Sequence, residues 1–412
     1  MSLPISRFYM RYALTQWLYR KTLSKLKTCV YNSRSIYLCS QVRMTGKSEK
    51  SAEELLNNSV TSIDKNFDIT WNSPAYPKCE RSEREKNEKG LQSHEDTKDE
   101  SVILFPGQGS QYVGMGKSLR NYPEVRHICD TASDFLGYDL LDLCSVGPHE
   151  KLNRTEYSQM AVFVLSYAAA ELVKAEQPGV MKNCIATAGF SVGEITALVF
   201  AGAISFTEAL GLVKIRALAM QEACDAAAGG MMTVFYGPDS RLGYACVCAK
   251  QWCEDRGIEN PVCSVANYLF PHCKVIAGNV EALKFIKENA SEFKLKRLKT
   301  LPVSGAFHTE LMRPAVEPFK KALKSIRIQH PKIPVYSNVD GNVYRNPRHI
   351  AAQLPKQIYK PVKWEQILHA LYSRSEGEMF PLTYECGPGT SLKSCLKMVN
   401  AKAGQFCSSI PV

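Results

Sequence analysis

Cys184-Ile185-Ala186-Thr187-Ala188-Gly189-Phe190-Ser191-Val192-Gly193 is a short apolar run that breaks on two glycines flanking a serine. The first residues read as a strand entering a turn, and a helical pattern follows at about 193–201. Gly189 to Gly193 is thus G-x-S-x-G between a strand and a helix, the setting of a nucleophile elbow. The glycines permit a sharp turn that lifts Ser191 above the sheet. The helix start offers backbone N–H groups and a positive dipole end to developing negative charge. G-x-S-x-G also recurs by chance, so a structural serine is the competing reading; the strand-turn-helix setting favours the nucleophile.

Upstream, Val102-Ile103-Leu104-Phe105 reads as a buried strand entering the tight loop Pro106-Gly107-Gln108-Gly109-Ser110. A helix is expected over about 158–177, with Ala161, Leu165, Ala168, Ala169 and Leu172 on one face, and another over about 207–227. Strands alternating with helices predict a parallel α/β sheet. Gly229-Gly230 then interrupts the pattern. Met231–Tyr236 reads as a strand, about 239–256 as a helix, Cys263–Ala266 and Lys274–Ala277 as paired strands, 280–292 as a helix and 296–303 as a strand. That β-α-β-β-α-β order is ferredoxin-like. Further strands are expected at Val335–Val339 and Pro381–Glu385. The expected fold is therefore an α/β-hydrolase-like large domain with a parallel sheet (101–228 and 302–400), an inserted small ferredoxin-like α+β domain (229–301), and a C-terminal tail (401–412).

The 412 residues carry a net charge of +11, but the charge is not spread evenly. Residues 1–47 hold nine Lys or Arg and no acidic residue, which leaves +2 for the rest. The basicity is therefore terminal, and no nucleic-acid-binding body is implied. Arg7, Arg11 and Arg20 interleave with Phe8, Tyr9, Tyr12, Trp17 and Tyr19, without a long apolar centre. This reads as a mitochondrial targeting peptide over 1–47, against a plain basic arm. Residues 48–100 are rich in Ser, Asn, Lys and Glu and read as a disordered linker. No apolar run approaches the length of a membrane span. Fifteen Cys form no C-x-x-C pair and no Cys/His cluster at zinc spacing, so neither a metal nor a disulfide framework is expected.

A serine nucleophile needs a base. Among the histidines, His308 stands out in Ser304-Gly305-Ala306-Phe307-His308-Thr309, after an apolar strand. A satisfied structural histidine is the other reading, and the residues alone leave both open. Arg216 lies in the apolar Leu212-Val213-Lys214-Ile215-Arg216-Ala217-Leu218 and must find an anionic partner. An internal ion pair with Glu222 or Asp225 and a bidentate clamp on a substrate carboxylate are equal alternatives. The 106–111 loop has glycines that let backbone N–H groups approach an anion. A phosphate loop is the rival, but no Lys-Ser or Lys-Thr follows at the required spacing; a plain tight turn is the third reading.

These motifs, in this order and spacing, resemble the malonyl-CoA:acyl carrier protein transacylases, and among them the mitochondrial members serving type II fatty acid synthesis. The resemblance covers about 101–400. Ala266-Asn267, Val275-Ile276-Ala277-Gly278, Lys360-Pro361-Val362-Lys363-Trp364 and Glu385-Cys386-Gly387-Pro388-Gly389 add to it. It implies Ser191 as nucleophile, His308 as base, backbone N–H groups of Gln108 and Val192 as the oxyanion hole, and Arg216 on the malonyl carboxylate. It implies that a backbone carbonyl at Gln357 orients the histidine, and that Gln159 and Asn267 line the cleft. Ala306-Phe307 resembles malonyl-selecting members, with Phe307 crowding an α-methyl branch. The family commonly has His and Leu around the serine, where this chain has Phe190 and Val192.

The resemblance further implies malonyl-CoA and an acyl carrier protein as partners, no cofactor, a mitochondrial matrix location and a monomer. The runs Lys294–Lys299 and Lys320–Lys324 read equally as a docking surface for an acidic carrier or as solvated faces. A serine hydrolase or thioesterase, passing the acyl group to water, is the main alternative; Arg216 argues against it, since such an enzyme has no need of a buried guanidinium.

Overall fold

The structure, a computed structural model, describes residues 100–412 apart from Ser304 and Glu376. The expected targeting peptide and the linker up to residue 99 lie outside the described residues.

Ser101–Phe105 (β1) is buried along its whole length and forms the middle of a five-stranded sheet. Its neighbours are Cys184–Gly189 (β2) and, on the other side, Leu382–Cys386 (β9). The order is β10-β9-β1-β2-β7, where β7 is Val335–Tyr336 and β10 is Cys407–Ile410, and every pairing is parallel. A parallel sheet must be covered on both faces. Successive β1 side chains show how: Ile103 and Phe105 join one apolar cluster with Leu165 and Leu198, while Val102 and Leu104 join another with Trp364, Ile367 and Leu392.

The helices that matter for the site follow from sequence pattern. Thr155–Glu176 is alanine-rich on its buried side (Ala161, Ala168, Ala169), which lets it pack closely on Phe206–Ala226. The latter starts on Ser205, whose side chain accepts from the Glu208 N–H. Both begin within a few residues of the expected positions, as does the elbow helix Val192–Phe200. The helices Pro123–Leu136, Pro347–Gln357, Trp364–Leu371 and Ser391–Val399 had no counterpart in the sequence reading.

The second sheet has the order β6-β3-β5-β4-β8. Gly229–Phe235 (β3), Cys263–Phe270 (β4), Cys273–Asn279 (β5) and Arg297–Thr300 (β6) pair antiparallel in the ferredoxin-like order. The fifth strand, Val362–Lys363 (β8), comes from outside 229–301 and pairs parallel with Asn267–Tyr268. Alternate residues face opposite ways: Met232, Val234, Val265 and Ile276 pack with helices Leu242–Glu254 and Val280–Glu288, whereas Met231, Val275 and Ala277 join the main core.

Residues 401–412 are not a bare tail. They form the helix Ala401–Gln405 and the edge strand β10, and Val412 is buried with its carbonyl accepting from the Tyr112 hydroxyl at 3.0 Å. Cys407-Ser408-Ser409-Ile410 carries too little alternation to announce a strand; its pairing with β9 supplies what its own pattern lacks.

Candidate active site

β1 and β2 end side by side, with Phe105 opposite Gly189, and both chains turn there. Ligands in open parallel sheets gather at such carboxyl ends. A Cβ on Gly189 would run into the Gly193 carbonyl, and one on Gly193 into the Phe105 carbonyl. Only glycine fits either place, which is why the elbow can close so tightly. Ser191, between them, holds φ 55° and ψ −113°, a backbone state a serine adopts only under constraint. The constraint is visible: the Ser191 N–H donates to Asn338 Oδ1 at 2.7 Å, and Asn338 Nδ2 donates to the Gly189 carbonyl at 2.7 Å. Asn338 therefore ties both sides of the turn.

Ser191 Oγ lies 2.9 Å from His308 Nε2. His308 Nδ1 donates to the Gln357 carbonyl at 2.7 Å, which leaves Nε2 as the acceptor for the serine proton. His308 is buried, and its pKa is pushed down to about 3, first by burial and then by the charge of Arg216. The imidazole is thus neutral and able to accept a proton. Arg216 reaches the same hydroxyl, with Nη2 3.2 Å from Ser191 Oγ. It also donates to Gln159 Oε1 at 2.5 Å and Gln357 Oε1 at 2.7 Å, while its buried Nε has no partner among the described residues. Burial lowers its pKa to about 10, still charged near neutrality.

The ion pair with Glu222 or Asp225, one of the two readings of Arg216, is not formed; Asp225 accepts instead from Gln221. Arg216 points to the opposite side, into the site, and its hydrogen-bond partners among the described residues are neutral.

The chain is 59% identical over 310 residues to a probable mitochondrial malonyl-CoA-acyl carrier protein transacylase of Drosophila melanogaster, spanning 75% of this chain and 82% of the relative. It is 54% identical over 312 residues to the mitochondrial malonyl-CoA-acyl carrier protein transacylase of Homo sapiens, spanning 76% and 80%. Residues 102–378 match the acyl transferase domain family. The chain belongs to the malonyl-CoA-acyl carrier protein transacylase family. Among solved structures, an acyl carrier protein S-malonyltransferase from Vibrio cholerae superposes with a TM-score of 0.67 at 33% identity, covering 76% of this chain and 97% of that one.

Within this transacylase fold Val192 and the Gln108 loop border the elbow. Val192 opens the elbow helix, so its N–H has no intrahelical acceptor. The Gln108 loop lies against the elbow: Phe190 N–H donates to the Phe105 carbonyl at 2.9 Å, and a Cβ on Gly107 would sit 2.5 Å from the Phe190 carbonyl. Gln108 Oε1 accepts from Gln159 Nε2 at 3.2 Å, which joins that loop to the Arg216 network. Asn267 and Phe307 are buried, and Asn267 Oδ1 has no partner among the described residues. Phe190 packs edge-on against Trp364, with ring centroids 5.6 Å apart, behind the elbow. The lysines of the two basic runs are exposed, at 294, 296 and 299 and at 320, 321 and 324.

Three residues of the site escaped the sequence reading: Glu194, Asn338 and Tyr344. The G-x-S-x-G motif stops one residue short of Glu194. Asn338 and Tyr344 reach the elbow from 147 and 150 residues away, measured to Ser191 and Glu194. One usable signal existed, a lone acidic residue in the apolar Val192–Phe200 helix, which can only be buried and paired.

Proposed function

We propose that this chain transfers the malonyl group of malonyl-CoA to the phosphopantetheine thiol of an acyl carrier protein, through a malonyl ester on Ser191, in the mitochondrial matrix. The observation that carries the reading is the sharing of one hydroxyl: Ser191 Oγ is within hydrogen-bond reach of both a neutral imidazole at 2.9 Å and a buried guanidinium at 3.2 Å. The first supplies a base, the second a site for an acyl group that ends in a carboxylate.

His308 Nε2 takes the Ser191 proton as Oγ attacks the thioester carbon. Negative charge gathers on the carbonyl oxygen, facing the N–H groups of Val192 and Gln108, each worth a few kcal/mol of barrier. The C–S bond breaks and coenzyme A leaves as a thiol with the proton from His308. The carrier's thiol then gives its proton to His308 and attacks the ester. The tetrahedral intermediate expels Ser191 Oγ, which recovers the proton. The Gln357 carbonyl keeps the imidazole in the required tautomer throughout.

Arg216 selects the substrate. Its Nε–H, unpartnered among the described residues, and the Nη2 hydrogen now directed at Ser191 Oγ form the fork that a carboxylate fits, while the other Nη2 hydrogen stays with Gln357. An acetyl group leaves that charge buried and unanswered. Gln159 holds the other arm of the guanidinium, and Asn267 and Phe307 line the acyl pocket, where Phe307 disfavours an α-methyl branch. No cofactor enters any of these steps.

The test is transfer of radiolabelled malonyl from malonyl-CoA, with and without holo acyl carrier protein. Label held by the protein and passed to the carrier supports the reading. Rapid release of free malonate regardless of carrier would support a thioesterase instead.

A further inference from the structure

Glu194 is fully buried in the first turn of the elbow helix, yet no step above uses it. Oε1 accepts from the Asn338 N–H at 3.0 Å and from the Tyr344 hydroxyl at 2.6 Å, and Oε2 accepts from Gln357 Nε2 at 2.6 Å. A carboxylate only accepts hydrogen bonds, so three donors around it match the ionised form. Burial works against that charge and pushes the pKa up to about 7, while the bonds from Tyr344, Gln357 and Asn338 hold it down.

The consequence falls on Gln357. Its amide NH2 is held on one side by Glu194 and also donates to the Ser191 carbonyl at 2.7 Å. Oε1 must therefore face the other way, and it accepts from Arg216 Nη2 at 2.7 Å. A buried guanidinium requires a counter-charge. A carboxylate in direct contact would occupy the donors that a substrate needs. Here the negative charge stands one amide behind the guanidinium.

We propose that Glu194 is a positioning residue for acyl selection. It fixes the orientation of the Gln357 amide and supplies, across that amide, the counter-charge that keeps Arg216 charged and its fork open to a carboxylate. The inference rests on reading Arg216 as the clamp for a thioester whose acyl group ends in a carboxylate.

Glu194→Gln keeps the shape and removes the charge. Its oxygen stays with Asn338 and Tyr344, so its NH2 faces the NH2 of Gln357. Gln357 must then turn and present a donor to Arg216, which is repulsive. The experiment compares malonyl-CoA with acetyl-CoA as donors to holo acyl carrier protein, for wild type, Glu194→Gln, Glu194→Asp and Tyr344→Phe. Thermal melts run alongside. Tyr344 touches the oxygen of Glu194 that does not hold Gln357.

In Glu194→Gln, kcat/KM for malonyl-CoA should fall roughly tenfold or more, the size expected for a lost charge-assisted hydrogen bond. The loss should lie mainly in KM, with acetyl transfer little changed. Glu194→Asp should recover part of the malonyl preference, and Tyr344→Phe, assayed well above pH 7 where Glu194 stays ionised without that bond, should lower the melting temperature while leaving the preference intact. A folded Glu194→Gln with the wild-type preference would overturn the inference, as would equal loss of preference in Glu194→Gln and Tyr344→Phe. Should Glu194→Gln fail to fold, equal preference in Glu194→Asp and Tyr344→Phe would overturn it. Wild type without any malonyl preference would remove the clamp itself, a failure distinct from that of Glu194.

Discussion

The two sides of Ser191 are built on opposite terms. Behind it, Asn338, Glu194, Tyr344 and Gln357 exchange hydrogen bonds of 2.6 to 3.0 Å among themselves and with the elbow backbone. In front of it, on the guanidinium that reaches the hydroxyl, Arg216 Nε is buried with no partner among the described residues, as is Oδ1 of Asn267, the residue we propose for the acyl pocket. Buried polar groups are usually paired, and leaving one unpaired costs stability. The rear region spends its polar groups on holding a strained turn, whereas the front region keeps some open. Rigidity and readiness are thus separated by one residue.

Substitutions on either side test that contrast. The largest effect is expected from His308→Ala, which leaves the turn and the front pocket in place but removes the base. Malonyl transfer should fall by about 10³-fold or more, read as kcat in the carrier assay, with little change in substrate binding.

Next come two asparagines of the same size. Asn338→Ala strips partners from the Ser191 N–H and the Gly189 carbonyl, so stability should fall by about 2 to 4 kcal/mol in denaturant unfolding. Asn267→Ala removes an oxygen that has no partner, so its unfolding free energy should change by less than about 1 kcal/mol, while KM for malonyl-CoA rises. Equal destabilisation by the two would erase the distinction between rear and front.

The smallest effect is an inflection that should be missing. With the His308 pKa near 3, kcat/KM for acetyl-CoA, which does not depend on the Glu194 charge, should show no step at the ordinary histidine value of 6.5, while kcat/KM for malonyl-CoA should fall only as Glu194 gains a proton near pH 7. Stability carries the matching sign. His308 stays neutral in the fold but takes a proton in the unfolded chain below its ordinary value of 6.5, so its contribution is lost as pH falls from 6.5 toward 3. Glu194 acts oppositely: its folded pKa of about 7 lies above the usual 4.5, so its contribution is lost as pH rises through that window. Stability should therefore vary weakly between those two values, as thermal melts across pH would show.

The sequence carried the front of the site better than the rear. Gly189 to Gly193 announces the elbow because the requirement is local: two glycines and a serine at fixed spacing. Arg216 was visible as a charge in an apolar helix, but not the direction it faced, since both Asp225 and the site lay within reach of one helix. Asn338, Gln357 and Glu194 converge through contacts 144 to 163 residues apart in the chain, and no periodicity encodes such pairing. The strands show the same rule. β1 and the ferredoxin-like strands are long enough to display a pattern. β7 and β8 are two residues each, and their pairing partners, not their composition, make them strands.

The central claim is that the acyl group rests on Ser191 between its two carriers. The direct measurement is peptide mass spectrometry of the protein quenched in acid seconds after mixing with malonyl-CoA, with no carrier present. A malonyl adduct is expected on the peptide containing Ser191, absent from Ser191→Ala and discharged when holo acyl carrier protein is added before the quench. Transfer to the carrier at full rate with no adduct on Ser191, or with Ser191→Ala as active as wild type, would contradict it.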